Sequence, residues 1–226
     1  MPDKLFAPCS NLQRMVGAFA NITNGLTISN FMFENNTNLT NFAGVFEKTV
    51  IHNEALTADF FTGASNIINI GSSSSPNYGG SNTIFYGAFK ESKLKVISTK
   101  LLAPLINLEK VDYCFMGVPE YENSMKFVDD NLNINSNMPV TFFENNIKLT
   151  NLDYCFAYNY SLTGFIDSDG KETSDLSTFF YRDENGINNL ITNLSGLFEY
   201  CTKLTGDVHN TLFKNLKKLN SIYQVF

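Results

Sequence analysis

A short hydrophobic motif recurs along the whole chain: an apolar residue, two variable residues, a second apolar residue, three more residues and then phenylalanine. Neighbouring copies lie 26 to 28 residues apart, or 41 to 43 residues apart where a unit carries an insertion. A repeat period of about 20 to 50 residues is typical of proteins built from stacked units. The copies are Leu12-Met15-Phe19, Leu39-Phe42-Phe46, Leu108-Val111-Phe115, Leu149-Leu152-Phe156, Ile191-Leu194-Phe198, Leu219-Ile222-Phe226 and a degenerate copy, Asn82-Phe85-Phe89, whose first position is polar.

The spacing within the motif predicts local structure. Steps of three and four residues place side chains on one face of a helix, so each unit is expected to contain one or two short helical turns. After the phenylalanine, segments such as Leu162-Thr163-Gly164 and Leu204-Thr205-Gly206 predict brief strands. The pattern therefore predicts an α/β solenoid of about seven units with short strands and short helices. The alternative is a globular α/β domain in which the periodicity is accidental.

The repeats run through residues 1–226 without a linker, which predicts one continuous solenoid. Insertions interrupt the basic period near 71–83, 116–138 and 166–189. The chain starts and stops inside a repeat, whereas solenoids normally end in polar caps. We therefore expect either a segment of a longer polypeptide or a partner that covers the ends.

Composition narrows the classes of function. The net charge is −6 and the lysines are scattered, so the basic stripe of a nucleic-acid-binding protein is missing from the sequence. The sequence contains no run of 18 apolar residues, so no membrane span is predicted. Cys114 and Cys155 occupy the same place in two units, where other units have alanine, valine or leucine, so both are expected to be buried thiols. A disulfide between neighbouring units is left open.

Candidate chemistry is sparse. The two histidines, His52 and His209, lie in unrelated units, and the chain contains no phosphate-binding or hydrolase motif. The sequence therefore predicts a protein without enzymatic activity or a cofactor. Asp167 and Asp169 begin like a calcium-binding loop but lack its terminal glutamate, so they fit a polar turn or a weak calcium site. A hydrolase that uses Asp167, Asp169 and Asp175 is the remaining enzymatic alternative.

The insertions are the candidate binding surface, because insertions in repeat proteins tend to map to one face. They carry Tyr78, Tyr121 and Tyr181. Aromatic side chains on exposed loops are plausible anchors for a ligand. The alternative is that the loops are inert or that these rings fold back on the core.

Two segments carry a resemblance to a known family. They are residues 192–205, TNLSGLFEYCTKLT, and residues 151–164, NLDYCFAYNYSLTG. Both resemble the repeated phrase of the BspA-like leucine-rich repeats, which occur in bacterial surface proteins and in some protist and phage proteins. The resemblance implies a leucine-rich-repeat-like, surface-exposed solenoid used for adhesion or protein recognition, and it carries over no catalytic residue.

Two functions are therefore expected. The first is a surface recognition or adhesion module that binds a protein or a glycan at the cell surface or outside the cell. The second is a structural component of a large assembly, such as a phage tail, a fibre or a cell-surface layer, whose partners are other subunits and whose location includes the virion. Neither involves nucleic acid.

Overall fold

The computed structural model describes residues 1–76, 82–117, 125–181, 183–184, 188, 190–205, 212–214 and 216–226. Extended and turn backbone predominates in these residues, and their one helical element is a short 3-10 helix. The elements are the 3-10 helix Ala58–Phe61 and the strands β1 (Ser73–Pro76), β2 (Asn82–Phe85), β3 (Val96–Ser98), β4 (Lys126–Val128), β5 (Ile134–Asn135), β6 (Asn137–Pro139) and β7 (Gly164–Ile166).

The repeated motifs lie side by side. The residue just before the second apolar position of one motif forms a parallel bridge with its equivalent in the next motif. Asn151, for example, bridges Lys110 on one side and Asn193 on the other. The bridged residues are, in order, Arg14, Asn41, Asn69, Lys110, Asn151, Asn193 and Ser221. Consecutive units are therefore stacked in parallel, with the same residues in register.

Each unit is tied to the next by a ladder of backbone hydrogen bonds in which alternate N–H groups donate forward along the stack. The N–H groups between them close local turns, as from Cys155 to the carbonyl of Leu152 at 3.1 Å. The ladder bonds of this unit run from Leu152 to Asn193 (3.1 Å), Tyr154 to Ser195 (2.8 Å), Phe156 to Leu197 (3.0 Å) and Tyr158 to Glu199 (2.8 Å). The stack is thus a sheet-like array made of turns.

The predicted α/β fold with short helices is wrong. An α-helix needs each N–H to reach the carbonyl four residues back, but here alternate N–H groups leave the unit. The unit also contains residues in the left-handed region, such as Tyr154 at φ 57° and Tyr158 at φ 61°, which an α-helix does not tolerate. The apolar residues of the motif, three and four positions apart, reach the inner side of the stack through successive turns and not through a helix.

The phenylalanines that end the motif form one continuous column of stacked rings, called here the phenylalanine column. Neighbouring ring centroids are 5.5–5.9 Å apart, with planes 3–24° from parallel. The column consists of Phe19, Phe46, Phe89, Phe115, Phe156, Phe198 and Phe226. The equivalence that the sequence motif predicts for these residues is confirmed.

The degenerate copy of the motif does not fold like the other copies, although the sequence predicted that it would. Asn82 and Phe85 lie on β2, which pairs antiparallel with β1 in a hairpin. The buried apolar residues of this unit are Ile67 and Ile70, and the N–H of Ala88 donates to the carbonyl of Ile70 at 2.8 Å. The motif is therefore interrupted by the hairpin and resumes directly before Phe89.

Short parallel pairs also form where the chain leaves the motif. β3 pairs in parallel with β4, which pairs antiparallel with β5, and β6 pairs in parallel with β7. These pairs extend the contact between neighbouring units beyond the ladder.

Asparagines inside the stack bind carbonyls of the preceding unit. The Nδ2 group of Asn146, a fully buried residue, donates to the carbonyls of Leu102 and Leu105, both at 3.0 Å. Asn36 makes the equivalent pair of bonds to Phe6 and Cys9. Each of these carbonyls also accepts a local backbone bond, as from the N–H of Leu105 to Leu102 and from the N–H of Leu108 to Leu105, so the asparagine amide adds a second bond that links two units.

All four cysteines are free thiols. Cys114 and Cys155 are fully buried, as predicted from their place in the motif, and burial raises the pKa of both well above the usual value for a thiol. Burial also raises the pKa of Cys201 to about 12. Across the described residues, no helix is both long and apolar enough to cross a bilayer.

Candidate ligand-binding face

Of the three tyrosines predicted as anchors, the structure describes one, Tyr181. Tyr78 and Tyr121 lie outside the described residues. Tyr181 is half-buried, and its carbonyl accepts a hydrogen bond from the Nδ2 group of Asn188 at 2.7 Å. Tyr181 is thus anchored to its own chain through the backbone.

The calcium candidate is a hydrogen-bonded turn. The Oδ1 atom of Asp167 accepts bonds from the N–H groups of Asp169 and Lys171, both at 2.9 Å. Asp129 closes the β4–β5 loop in the same way, with bonds from the N–H groups of Asn131 and Asn133. In the described parts of the chain no three His, Cys, Asp or Glu side chains are grouped so that they could hold a metal ion. Asp167 and Asp169 thus lie in a hydrogen-bonded turn, and a weak calcium site there stays a prediction.

Another set of tyrosines does come together, on the outer side of the ladder. Tyr113 and Tyr154 stack with centroids 5.1 Å apart and planes 14° from parallel, and the Tyr86 ring meets Tyr113 at 5.2 Å. Tyr158 stacks on Tyr200 at 4.8 Å and 19°. We call this set the tyrosine face, which comprises Tyr86, Tyr113, Tyr154, Tyr158, Tyr160 and Tyr200.

The backbone of the repeat explains why these side chains point outward. Tyr113 and Tyr154 stand two residues before a column phenylalanine, and Tyr158 and Tyr200 stand two residues after one. All four have φ between 57° and 61°, in the left-handed region. Such a residue turns the chain, so these tyrosines stand at the turns that flank the buried phenylalanines.

Glycine takes the same left-handed position in other units, where an aromatic ring covers it. A Cβ atom on Gly17 would lie 2.4 Å from the ring of Phe85, and one on Gly44 would lie 2.5 Å from the Phe85 Cβ atom. A Cβ atom on Gly196 would lie 2.3 Å from the ring of Tyr154. Aromatic rings thus cover these glycines in both regions, with Phe85 of the hairpin over Gly17 and Gly44 and with Tyr154 over Gly196.

Sequence analysis missed this face because it followed the apolar positions of the motif. The available signal was the segment Tyr154-Cys155-Phe156-Ala157-Tyr158, in which tyrosines flank a column phenylalanine at equal distances. Tyr113 and Tyr200 repeat half of that pattern each. Their common spacing from the phenylalanine would have placed them on one surface.

Carboxylates lie beside the tyrosines. Burial is the main cause that raises the pKa of Tyr154 and Tyr158, and the negative charge of Glu199 is the next cause for both. The Oε2 atom of Glu199 is also 3.0 Å from the position of a Cβ atom on Gly196, where the Tyr154 ring lies.

Two aspartates link neighbouring units directly beneath this face. The Oδ2 atom of Asp112, a buried residue, accepts bonds from the N–H group (3.0 Å) and the hydroxyl of Ser72. The Oδ1 atom of Asp153 accepts a bond from the N–H of Ser195 at 2.7 Å. Burial raises the pKa of Asp153. These bonds fix the spacing of the units that carry the tyrosines.

The other end of the face already holds a cation. Lys90 is buried, and its Nζ atom lies 5.0 Å from the centroid of the Tyr86 ring and 3.8 Å from Oε1 of Glu47. It also pairs with Glu91. The second carboxylate oxygen of Glu47 accepts a bond from the N–H of Tyr86 at 3.0 Å. An ammonium group between an aromatic ring and carboxylates is a favourable cation–π arrangement.

Comparison with known proteins adds no relative. No family model, no curated protein and no solved structure matches the chain.

Tyr158 is the one residue of the tyrosine face that also lines a cavity of about 450 Å³, whose apolar wall is formed by Phe89, Phe115 and Met125. The tyrosine face itself combines aromatic rings, phenol hydroxyls and the Glu199 carboxylate beside Tyr154. Such a surface can bind a ligand by stacking and hydrogen bonding.

Proposed function

We propose that this chain is a non-catalytic binding module that recognises a protein or glycan ligand through the tyrosine face. One observation carries the proposal: the phenylalanines of the repeat line its inner side, whereas six tyrosines gather on its outer side. Tyrosine supplies a large, rigid contact area together with a hydroxyl, and it is enriched at binding sites for that reason.

The resemblance to BspA-like repeats supports the same class of function. It favours a location at the cell surface or outside the cell, with the virion as the alternative. The alternative is that the chain is a structural component of a large assembly. The crosslinking experiment below includes this alternative as an outcome, because subunits of an assembly would also be captured at a contact surface.

Site-specific photo-crosslinking tests the proposal. A benzophenone amino acid is placed at Tyr200, which is 52% exposed, and in a second protein at Leu132, which is 81% exposed on the β4–β5 loop. We expect a discrete crosslinked partner in the source organism from position 200 and none from position 132. Equal crosslinking from both positions, or none from position 200, would contradict a binding role for the tyrosine face. A particle protein or a second copy of the chain as the captured species would favour the assembly.

A further inference from the structure

We infer that the part of the tyrosine face around Glu199 binds an arginine or lysine side chain of a protein partner. This inference rests on the proposed function and names the class of partner. It starts from the internal site at Lys90, where the fold itself shows which ligand this combination of groups accepts.

The Lys90 site and the Glu199 site occupy the same column of the repeat. Glu47, Lys90 and Glu199 each stand directly after a column phenylalanine. In the first site the Lys90 ammonium group lies between the Glu47 carboxylate and the Tyr86 ring. The chain therefore already uses this column to hold a cation against a tyrosine.

The Glu199 site offers a tyrosine ring and one carboxylate on a more open surface, whereas the Lys90 site has a second carboxylate, that of Glu91. The Tyr154 ring and the Glu199 carboxylate converge over Gly196, whose lack of a side chain leaves room for both. Tyr200, the next residue along the chain, stacks on Tyr158 and is 52% exposed. Glu199 is half-buried, so water screens its charge less than it screens the charge of a fully exposed carboxylate.

The internal cation is missing at this second site. In the region that the structure describes, the ion pairs are Lys4–Glu34, Lys90–Glu47, Lys90–Glu91 and Lys100–Asp130, and Glu199 is in none of them. The preceding residue in the column is Ala157, which brings no charge. Among the described residues, the Glu199 carboxylate beside the Tyr154 ring thus lacks a cation, and this aromatic environment suits a guanidinium or ammonium group from a ligand.

The test measures binding of a fluorescent hexa-arginine peptide by anisotropy, with hexa-lysine and hexa-glutamate peptides beside it. The variants are Glu199→Gln and, as a control with the same loss of charge, Glu144→Gln, whose exposed glutamate lies away from the tyrosine face. We expect Glu199→Gln to weaken hexa-arginine binding about tenfold, because a charge-assisted hydrogen bond is lost, and Glu144→Gln to change it less than about twofold.

Aromatic variants sharpen the result. Tyr200→Phe keeps the ring and should keep most of the affinity for hexa-arginine. Tyr200→Ala should weaken that affinity about threefold to fivefold, as expected for an exposed cation–π contact. Urea unfolding of each variant checks that the fold is retained.

Equal loss in Glu199→Gln and Glu144→Gln would mean that the peptide senses only the net charge of −6, and the inference would be wrong. No binding of hexa-arginine by the folded protein would overturn it as well. If crosslinking from position 200 still captured a partner in that case, the binding role of the tyrosine face would stand and only the basic partner would be lost.

Discussion

The phenylalanine column and the tyrosine face are both rows of aromatic rings that follow the same repeat, yet they differ in continuity. The column has one ring in each of seven units, all at nearly the same spacing. The tyrosine face breaks into two stacks, and glycine replaces tyrosine at Gly17, Gly44 and Gly196. A row that holds the units together must be complete, whereas a row that meets a ligand can vary from unit to unit.

The largest expected effect separates the two rows by stability. Phe156→Ala removes a ring that is 1% exposed and stacked between Phe115 and Phe198. We expect a loss of about 3 to 5 kcal/mol in the free energy of unfolding, measured with urea. Tyr200→Ala, the matched change on the outer row, should cost less than about 1 kcal/mol. Similar losses in the two variants would mean that both rows are structural.

The next effect concerns the glycines of the outer row. Gly196→Ala puts a methyl group into the Tyr154 ring at φ 63°. We expect a loss of about 2 to 4 kcal/mol from backbone strain and overpacking. Gly170→Ala is the control, since its φ of 77° brings the same strain but nothing lies within 4 Å of the new atom. If the two variants unfold at the same denaturant concentration, Tyr154 does not lie over Gly196.

A smaller effect is expected from the asparagine that supports the column. Asn146→Ala removes two buried hydrogen bonds between neighbouring units, although the carbonyls of Leu102 and Leu105 keep their local backbone bonds. We expect a loss of about 1 to 3 kcal/mol in the free energy of unfolding, measured with urea. Asn145→Ala removes an exposed neighbour and should be nearly neutral. An unchanged unfolding midpoint for Asn146→Ala would show that the local backbone bonds satisfy these carbonyls without the asparagine.

The smallest effect is a dependence on pH beneath the tyrosine face. Burial raises the pKa of Asp153 in the folded protein, so the folded state takes up a proton at a higher pH than the unfolded state does. The contribution of Asp153 to stability therefore rises as pH falls through the folded pKa and is lost as pH increases. Asp153→Asn should abolish this trend and raise stability at neutral pH by less than about 1 kcal/mol.

The check for this prediction is urea unfolding at a series of acidic to neutral pH values. Asp169→Asn, at an exposed aspartate of the β7 loop, is the control and should leave the trend unchanged. A variant at Asp153 with the same pH trend as the original protein would rule out this residue as its source.

The sequence predicted the inner row better than the backbone that carries it. The equivalence of the column phenylalanines and the burial of Cys114 and Cys155 could be predicted, because apolar residues recur at the buried positions of each unit. That pattern can be seen within one short stretch of sequence. The helices were wrongly predicted because steps of three and four residues also suit successive turns. The choice between the two depends on hydrogen bonds to residues 26 to 42 positions away, such as Met15 to Asn41, which periodicity does not register.

The tyrosine face escaped prediction for a related reason. Tyr154 and Tyr200 belong to one surface only because the units stack in register, and polar aromatic residues do not mark an amphipathic pattern. The binding residues were instead predicted on the insertions, at Tyr78, Tyr121 and Tyr181.

The forward direction of the ladder makes the stack electrically polar. In an ordinary sheet the peptide groups of a strand point alternately to both sides, so their dipoles nearly cancel. Here the carbonyl of Asn151 points back to Val111 while the N–H of Leu152 points on to Asn193, and the peptide groups equivalent to this one point the same way. The dipoles of these forward groups add along the stack, with the positive side toward the later units, and they are offset in part by groups such as Thr150 and Asn151, whose N–H groups donate back to Glu109.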